Sequence, residues 1–292
     1  MINNTDFIDL PLHIKGKVRN VYDLGDRLLI VVTDRISAFD VVFDRLIPDK
    51  GKVLNSISEF WFDYTKDIVD NHMMTTDVSK YPDEISKYKD ELQGRSMVVK
   101  KIKMIEAEFI VRGYLEGSSL KEYIKTGKIC GIDLPKGLRQ GDKLLKPLFT
   151  PSSKSSEGHD ENISFETLCT KIGEELANKI KNISLMLYER AREYAYSKGI
   201  ILADTKFEFG IMDDRLILAD EIFTPDSSRF WDAAEYQPGK AQKSFDKQYL
   251  REYLEDIGWD KNPPAPELPD DVVNKTRLKY IEAYQRITGK DL

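Results

Sequence analysis

Cysteine is scarce in this 292-residue chain: only Cys130 and Cys169 occur, far apart and in no C-x-x-C spacing. That excludes a disulfide framework and a cysteine-based zinc site, and both residues read as ordinary packed thiols. The three histidines, His13, His72 and His159, form no H-E-x-x-H or similar ligand pair, so transition-metal chemistry is not expected. No apolar run approaches 20 residues, and the opening "MINNTDFIDLPLHIKGK" lacks a basic start followed by an apolar core. A cytoplasmic protein with no membrane partner is the expectation. Basic residues are not in excess either: 44 against 50 acidic ones give a formal charge of -6. This argues against a general nucleic-acid binder but leaves room for a local basic pocket that takes small anions. What is present is ordinary globular material, 41% hydrophobic and 32% charged, enough for a sizeable core and two lobes.

Within that material, the stretch "LADTKFEFGIMDDRLILADEIFTPDSSRFWD" sets Asp204, Lys206, Glu208, Asp220, Glu221 and Asp226 among strand-like residues. Alternation puts Phe207, Phe209 and Ile211 on one face and Lys206, Glu208 and Gly210 on the other. The run 216–219 after Asp213 and Asp214 completes a hairpin. A two-residue loop would send Glu208 and Asp220 to opposite faces, whereas a three-residue loop centred on Asp214 sets them opposite each other, and the second is the expectation. Carboxylates at about 5 Å repel by roughly 3 kcal/mol at an effective dielectric of ~20, so a positive charge belongs between them. A hard cation such as Mg²⁺ carrying nucleotide phosphates suits such a pair. The alternative is a solvated face neutralised by Lys206 or Arg215.

Elsewhere, strands are expected over 18–23 and 27–33 around a Gly25-Asp26 turn, and a helix over 53–69. Residues 96–114 read as two strands with a hinge-like break at 103–106. Residues 112–163, with seven glycines and prolines at 135, 147 and 151, read as loop-rich. A single long amphipathic helix follows, carrying Leu168, Ile172, Leu176, Ile180, Ile183, Leu187, Ala191 and Tyr194 and stopped at Gly199. Helices over 245–257 and 270–288 close at Gly258 and Gly289, with the linker "NPPAPELP" between them.

Three further places can hold anions: Lys15, Gly16, Lys17 and Arg19 at a hairpin mouth, Arg112 with Ser118 and Ser119, and Arg229 with Ser227 and Ser228. Glycine permits close approach to a phosphate, and arginine and serine bind it by charge-assisted hydrogen bonds. Alternatively Arg112 is a buried ion pair and Arg229 a loop anchor. The first place matches neither a Walker A pattern nor G-x-G-x-x-G. "FTPSSKSSEGHDENIS" reads as a surface loop that serves substrate.

Together "GKVRNVYDLGDRLLIVVTDRISAFDVV", "VVKKIKMIEAEFIVRGYLEGSSLKEY", "KPLFTPSSKSSEGHDENISFE", "ILADTKFEFG" and "ADEIFTPDSSRFWD" occur in an order that resembles the SAICAR synthetase family, densely from about residue 15 to 240. The resemblance implies an α+β, two-lobed ATP-binding fold related to kinase-like and ATP-grasp architectures, with antiparallel sheets and packed helices. It implies a strand-rich ATP-binding lobe over 1–103 and a larger substrate- and Mg²⁺-binding lobe over 104–292. The implied reaction joins the carboxylate of carboxyaminoimidazole ribonucleotide (CAIR) to the amine of L-aspartate, with ATP as co-substrate. By this resemblance Glu208 and Asp220 bind Mg²⁺, with Asp204, Lys206 and Lys154 as catalytic groups beside them. Lys15, Gly16 and Lys17 cover the ATP phosphates, and Lys100, Lys103, Met104 and Ile105 form the adenine side. Arg112, Ser118 and Arg229 take the ribonucleotide 5′-phosphate, Asp226 lies beside its imidazole amino group, and Ser153, Lys154, His159 and Asp160 stand near the aspartate. Asn20, Glu116 and Leu120 depart from residues more usual in the family. A monomer without a second catalytic domain is expected. A kinase-like small-molecule phosphotransferase and a catalytically silent nucleotide binder are the competing readings.

Overall fold

The computed structural model describes residues 1–154 and 161–292. The chain opens with β1 (Leu12–Lys15), β2 (Arg19–Asp23) and β3 (Arg27–Val32), joined by tight turns. A small hairpin of β4 (Ser37–Ala38) and β5 (Val41–Val42) precedes α1 (Lys50–Tyr64), and β6 (Met73–Thr75), α2 (Asp83–Ser86), α3 (Lys89–Leu92) and β7 (Ser96–Lys100) follow. The first sheet has the order β1-β2-β3-β7-β6. After two further residues the chain enters the second sheet at β8 (Lys103–Met104), so the passage between sheets falls beside the break expected from sequence.

The second sheet adds β9 (Ala107–Tyr114), α4 (Gly117–Thr126), the short hairpin β10 (Lys128–Ile129) and β11 (Ile132–Asp133), and β12 (Lys143–Ser153). This corrects the expectation of a loop-rich 112–163. Pro147 and Pro151 had argued against a strand there, but β12 is the edge of the path β12-β9-β13-β14, where a missing N–H is tolerated. Its register breaks between Lys143 and Leu148, which accommodates Pro147. Gly117 and Gly127 bound α4 rather than break it.

The expected single long helix is two, α5 (Phe165–Ile172) and α6 (Glu174–Ser197). Gly173 separates them at φ 87 and ψ 145, an extended left-handed-side conformation that only glycine adopts readily, and Glu174 and Glu175 restart the helix where its dipole favours acid. Then come β13 (Ile200–Met212), β14 (Arg215–Ala219), β15 (Ser228–Asp232), α7 (Gln248–Asp256) and α8 (Asp270–Thr288), the last ending at Gly289 as expected. All pairings between these named strands are antiparallel, giving an α+β fold.

The 13 residues of β13 outrun every neighbour, and each edge is therefore shared by two strands. One edge pairs with β15 over 200–205 and with β14 over 208–212; the other pairs with β9 over 204–207 and with β8 over 210–211. The loop 220–227 leaves the sheet where β14 gives way to β15, so it emerges beside the middle of β13. Behind the strand, Phe207 and Phe209 are fully buried with Ile180, Leu187 and Ala191 of α6. The same cluster takes in Ile30, Val32 and Val99 of the first sheet and Leu54, Ile57 and Trp61 of α1, so one continuous core spans both sheets.

Candidate active site

The site is built on the face of β13 opposite that core, where Asp204, Lys206 and Glu208 succeed one another at the strand period of two. Asp204 is paired across the ladder with Arg112 on β9 and with Arg229 on β15, so one row across the sheet reads arginine, aspartate, arginine. Arg112, buried, donates from Nε to Thr150 Oγ1 at 2.9 Å and from Nη2 to Ser118 Oγ at 3.3 Å, with Nη1 3.5 Å from Asp204 Oδ2. Arg229 contacts the same Asp204 oxygen, while its Nε has no hydrogen-bond partner among the described residues. Burial lowers the Arg112 pKa despite Asp204, whereas at Arg229 Asp204, Asp246 and Glu116 outweigh burial and raise it. Gly117, at φ 61, is required here because a Cβ would collide with the Arg229 guanidinium.

Four residues along, the sign inverts. Lys206 Nζ lies 2.6 Å from Glu108 Oε1 and 3.2 Å from Glu208 Oε1, and Lys154 contacts the other Glu208 oxygen. Continuing the β9 register one step past its last pair, Phe207 with Phe109, sets Glu108 directly beside Glu208. Burial opposes the Lys206 charge, but Glu208 and Glu108 outweigh it and hold the ammonium above its ordinary value.

The expected route to Asp220 is corrected. Met212 pairs with Arg215, so the hairpin loop is the two-residue Asp213-Asp214, with φ 51 and 57, and Glu208 faces Ala219. Consecutive aspartates tolerate the left-handed pair that a type I′ turn needs, and that turn matches the strand twist. Alternation alone would then point Asp220 away. Asp220 instead adopts φ 63, ending the alternation, and its carboxylate is held by Arg19: Nη1 to Oδ1 at 2.6 Å and Nη2 to Oδ2 at 3.0 Å. Arg19 Nη2 also lies 3.3 Å from Glu221. Burial raises the Asp220 pKa, but Arg19 and then Lys206 bring it well below the usual carboxylate range, which places it in the field of the Lys206 group. Of the neutralising partners considered, Lys206 serves Glu208, whereas Arg215 pairs at the surface with Asp70.

Arg19 also ties the β1–β2 loop to this cluster. Gly16 donates its N–H to Arg19 O at 2.8 Å, and a Cβ there would come within 2.7 Å of that oxygen, so the tight loop needs glycine. Lys15 is exposed, and Lys17 contacts Asp40. Lys100 Nζ donates to Asn71 O at 3.1 Å; Lys103 and Met104 are exposed beside Gly210 and Ile211, and Ile105 N–H donates to Phe209 O at 2.9 Å. Ser153 bonds Glu161 O through its N–H at 3.0 Å. His159 and Asp160 lie outside the described residues.

A cavity of about 550 Å³ opens beside the arginine row. Ser118 and Arg229 line it, together with residues the sequence reading missed: Asp40, Lys121, Gln140, Lys247, Gln248 and Arg251. Lys247 and Arg251, four apart near the start of α7, show the helical spacing that could have marked them. Asp226 is not open to this cavity. Its side chain is 3% exposed and is enclosed by Lys50 Nζ at 2.8 Å, Lys247 Nζ at 3.0 Å and Tyr280 OH at 2.6 Å. Burial works against the charged form, yet Lys247 and Lys50 hold the Asp226 pKa far below the ordinary value. Glu116 caps α4 by accepting from Gly117 N–H at 3.1 Å and is held by Gln140 Nε2 at 3.0 Å, so its carboxylate is engaged by these donors while still acting on Arg229 through its charge; Leu120 lines the cavity.

Cys130 is buried, its thiol pushed up to about 12 by burial, and Cys169 is half-buried and free. Among the described residues no three His, Cys, Asp or Glu side chains form a metal-binding group; Glu208 and Asp220 supply two hard oxygen donors whose present partners are cations.

Residues 12–266 match the family model described as SAICAR synthetase. The phosphoribosylaminoimidazole-succinocarboxamide synthase of Geobacter sulfurreducens is 57% identical over 291 residues, covering 99% of this chain and 98% of that protein, and its counterpart from Geotalea uraniireducens is 56% identical over the same shares. The solved SAICAR synthase of Saccharomyces cerevisiae, complexed with SAICAR, superposes with a TM-score of 0.91 at 43% identity over 100% of this chain and 99% of that one. A SAICAR synthetase solved in complex with ADP superposes at 0.70 with 26% identity, covering 96% and 98%. The chain belongs to the SAICAR synthetase family.

Proposed function

We infer that this chain is an ATP-dependent ligase of purine biosynthesis that joins the carboxylate of CAIR to the amine of L-aspartate, giving SAICAR, ADP and phosphate. Beyond its family membership, one observation supports the reading: a single strand face carries an arginine row beside a large cavity and, four residues away, a carboxylate row bound to lysines. The first suits the 5′-phosphate of a ribonucleotide, and the second suits a metal-bound triphosphate.

In this reading Arg112, Ser118 and Arg229 hold the 5′-phosphate, and Asp226 acts by holding Lys247 at the cavity wall. Lys15, Gly16 and Lys17 cover the ATP phosphates, and Arg19 links that loop to Asp220. Lys100, Lys103, Met104 and Ile105 form the adenine side, where the chain crosses between a nucleotide lobe (1–103) and a substrate lobe (104–292). Glu208 and Asp220 would hold Mg²⁺: two carboxylates with phosphate oxygens completing the shell fit that ion, and the Lys154, Lys206 and Arg19 cations now beside them mark the positive charge they need. When bound, it would neutralise charge on the transferring phosphoryl group.

A carboxylate is a poor acyl donor. Its oxygen attacks the γ-phosphorus as the bond to ADP breaks, and the neutral amine of aspartate then displaces phosphate from the acyl phosphate. Lys206 and Lys154 orient and neutralise the phosphoryl oxygens, Asp204 keeps the two arginines in register, and Ser153, His159 and Asp160 serve the aspartate side. Closure of the lobes excludes water that would hydrolyse the acyl phosphate. A cytoplasmic monomer is the proposed setting; among the described residues no helix is long and apolar enough to cross a membrane.

The test is ADP release from Mg-ATP and CAIR, with and without L-aspartate. Aspartate-dependent release with stoichiometric SAICAR establishes the ligase, and release independent of aspartate points to a phosphotransferase.

A further inference from the structure

Helix α1 runs along the inner side of the first sheet and presents Asn55 and Ser58, one turn apart, toward the Asp220 group. Asn55 is 0% exposed and Ser58 1%. Among the described residues Asn55 Oδ1, Asn55 Nδ2 and Ser58 Oγ have no hydrogen-bond partner. Buried amides and hydroxyls left unpaired are costly, and native interiors resolve them with protein partners or internal water. These two residues border a small, partly open space whose other polar walls are Arg19, Asp220 and Glu221 and whose apolar walls include Ile30 and Met97. About 10 Å³ of it is open to the centre of a water molecule, close to the least that holds one water.

We propose that Asn55, assisted by Ser58, is a positioning residue that holds the Arg19, Asp220 and Glu221 group through one internal water. The amide and hydroxyl supply the two to four partners that a buried water needs, with the carboxylates accepting from it. Asp220 departs from strand geometry to reach the site, and a fixed partner beneath it maintains that orientation. The inference rests on the reading of Asp220 as a metal-binding carboxylate.

Replacing an isolated, unpaired amide with an apolar group of similar size should be neutral or stabilising, whereas replacing an amide that anchors a bridge should not. Asn55→Leu therefore separates the two. The expected result is a lower Tm without ligands and Mg-ADP affinity, measured by calorimetry, weakened about fivefold, as befits the loss of one hydrogen bond. Asn55→Ser, which keeps a hydrogen-bonding group and leaves room for a second water, should stay near wild type, and Ser58→Ala should give a smaller loss that remains measurable if Asn55→Leu does not fold. An unchanged Mg-ADP affinity in Asn55→Leu overturns the proposal whether Tm rises or falls, as does equal weakening in Asn55→Ser. Asp220→Asn tests the underlying metal reading by itself: if that variant binds Mg-ADP normally, the metal reading fails, whatever the Asn55 variants show.

Discussion

Asp204 and Glu208 stand about 13 Å apart along one face of one strand, at ~3.3 Å per residue, yet their surroundings are opposite in sign. Asp204 lies between two arginines contributed by the strands on either side. Glu208 lies beside a second glutamate and is neutralised by Lys206, two residues earlier on the same strand, and by Lys154, which reaches in from the end of β12. In the first row two arginines share one strand carboxylate, with Asp246 and Glu116 adding to the field at Arg229, an arrangement of paired guanidiniums that suits the proposed phosphate. In the second row Glu108 and Glu208 share Lys206, and the proposed Mg²⁺ would take Glu208 together with Asp220 from the adjoining loop. The sheet creates the difference along one edge by changing partners, β15 at Asp204 and β14 at Glu208, and along the other by what β9 supplies, Arg112 beside Asp204 and Glu108 beside Glu208.

The comparison breaks most severely at the carboxylate row. Glu208→Ala or Asp220→Ala should lower kcat by at least about 10³-fold, the order seen when a principal electrostatic stabiliser is lost. Near-normal turnover at ordinary Mg²⁺ removes the metal assignment. Asp226, which belongs to neither row, should behave differently: Asp226→Ala leaves the fully buried Lys50 uncompensated and should cost about 3–5 kcal/mol in urea unfolding. A loss of turnover without a loss of stability would return Asp226 to direct substrate contact. Glu108→Gln sharpens the second row, because Lys206 keeps Glu208 but loses its closer partner; about a tenfold fall in kcat is expected, as when a charge-assisted hydrogen bond is lost. An unchanged kcat would make Glu108 a bystander.

A separate effect, read in stability alone, concerns acid. Burial pushes His72 down to about 4, below its ordinary 6.5, so the unfolded chain binds the proton first. Its contribution is therefore complete above pH 6.5 and is lost as pH falls toward 4, by roughly 3 kcal/mol in all. Urea unfolding of wild type and His72→Leu at pH 7 and pH 5 should show a smaller drop in the variant, and equal drops would mean that His72 does not titrate as described.

Much of this architecture was legible because local chemistry and tertiary structure agreed. The helix at 270–288 is bounded by Pro269 and Gly289, and alternation from Lys206 to Ile211 separated Lys206 and Glu208 from the buried Phe207 and Phe209 on one strand alone. What was not legible depended on position in the sheet. Pro147 and Pro151 exclude a central strand but not an edge one, and the sequence does not say which strand is the edge. Asp220 reaches the site through a left-handed residue, so the expected convergence with Glu208 came from the wrong hairpin loop. Glu108 carries no local motif and becomes a neighbour of Lys206 only through strand pairing across 98 residues of chain, and nothing near Arg19 in the sequence shows that its partner is Asp220, 201 residues away. Gly173 stands in a helical stripe that continues on both sides of it, so only its backbone angles reveal the break.

The two-row account is tested most directly by steady-state kinetics of Arg229→Ala, with KM measured separately for CAIR and for Mg-ATP. Loss of a charge-assisted contact to phosphate predicts a KM for CAIR raised roughly 10- to 100-fold and a KM for Mg-ATP within about threefold of wild type. Equal increases in both, or an increase confined to Mg-ATP, would contradict the assignment of the arginine row to the ribonucleotide and the carboxylate row to the metal nucleotide.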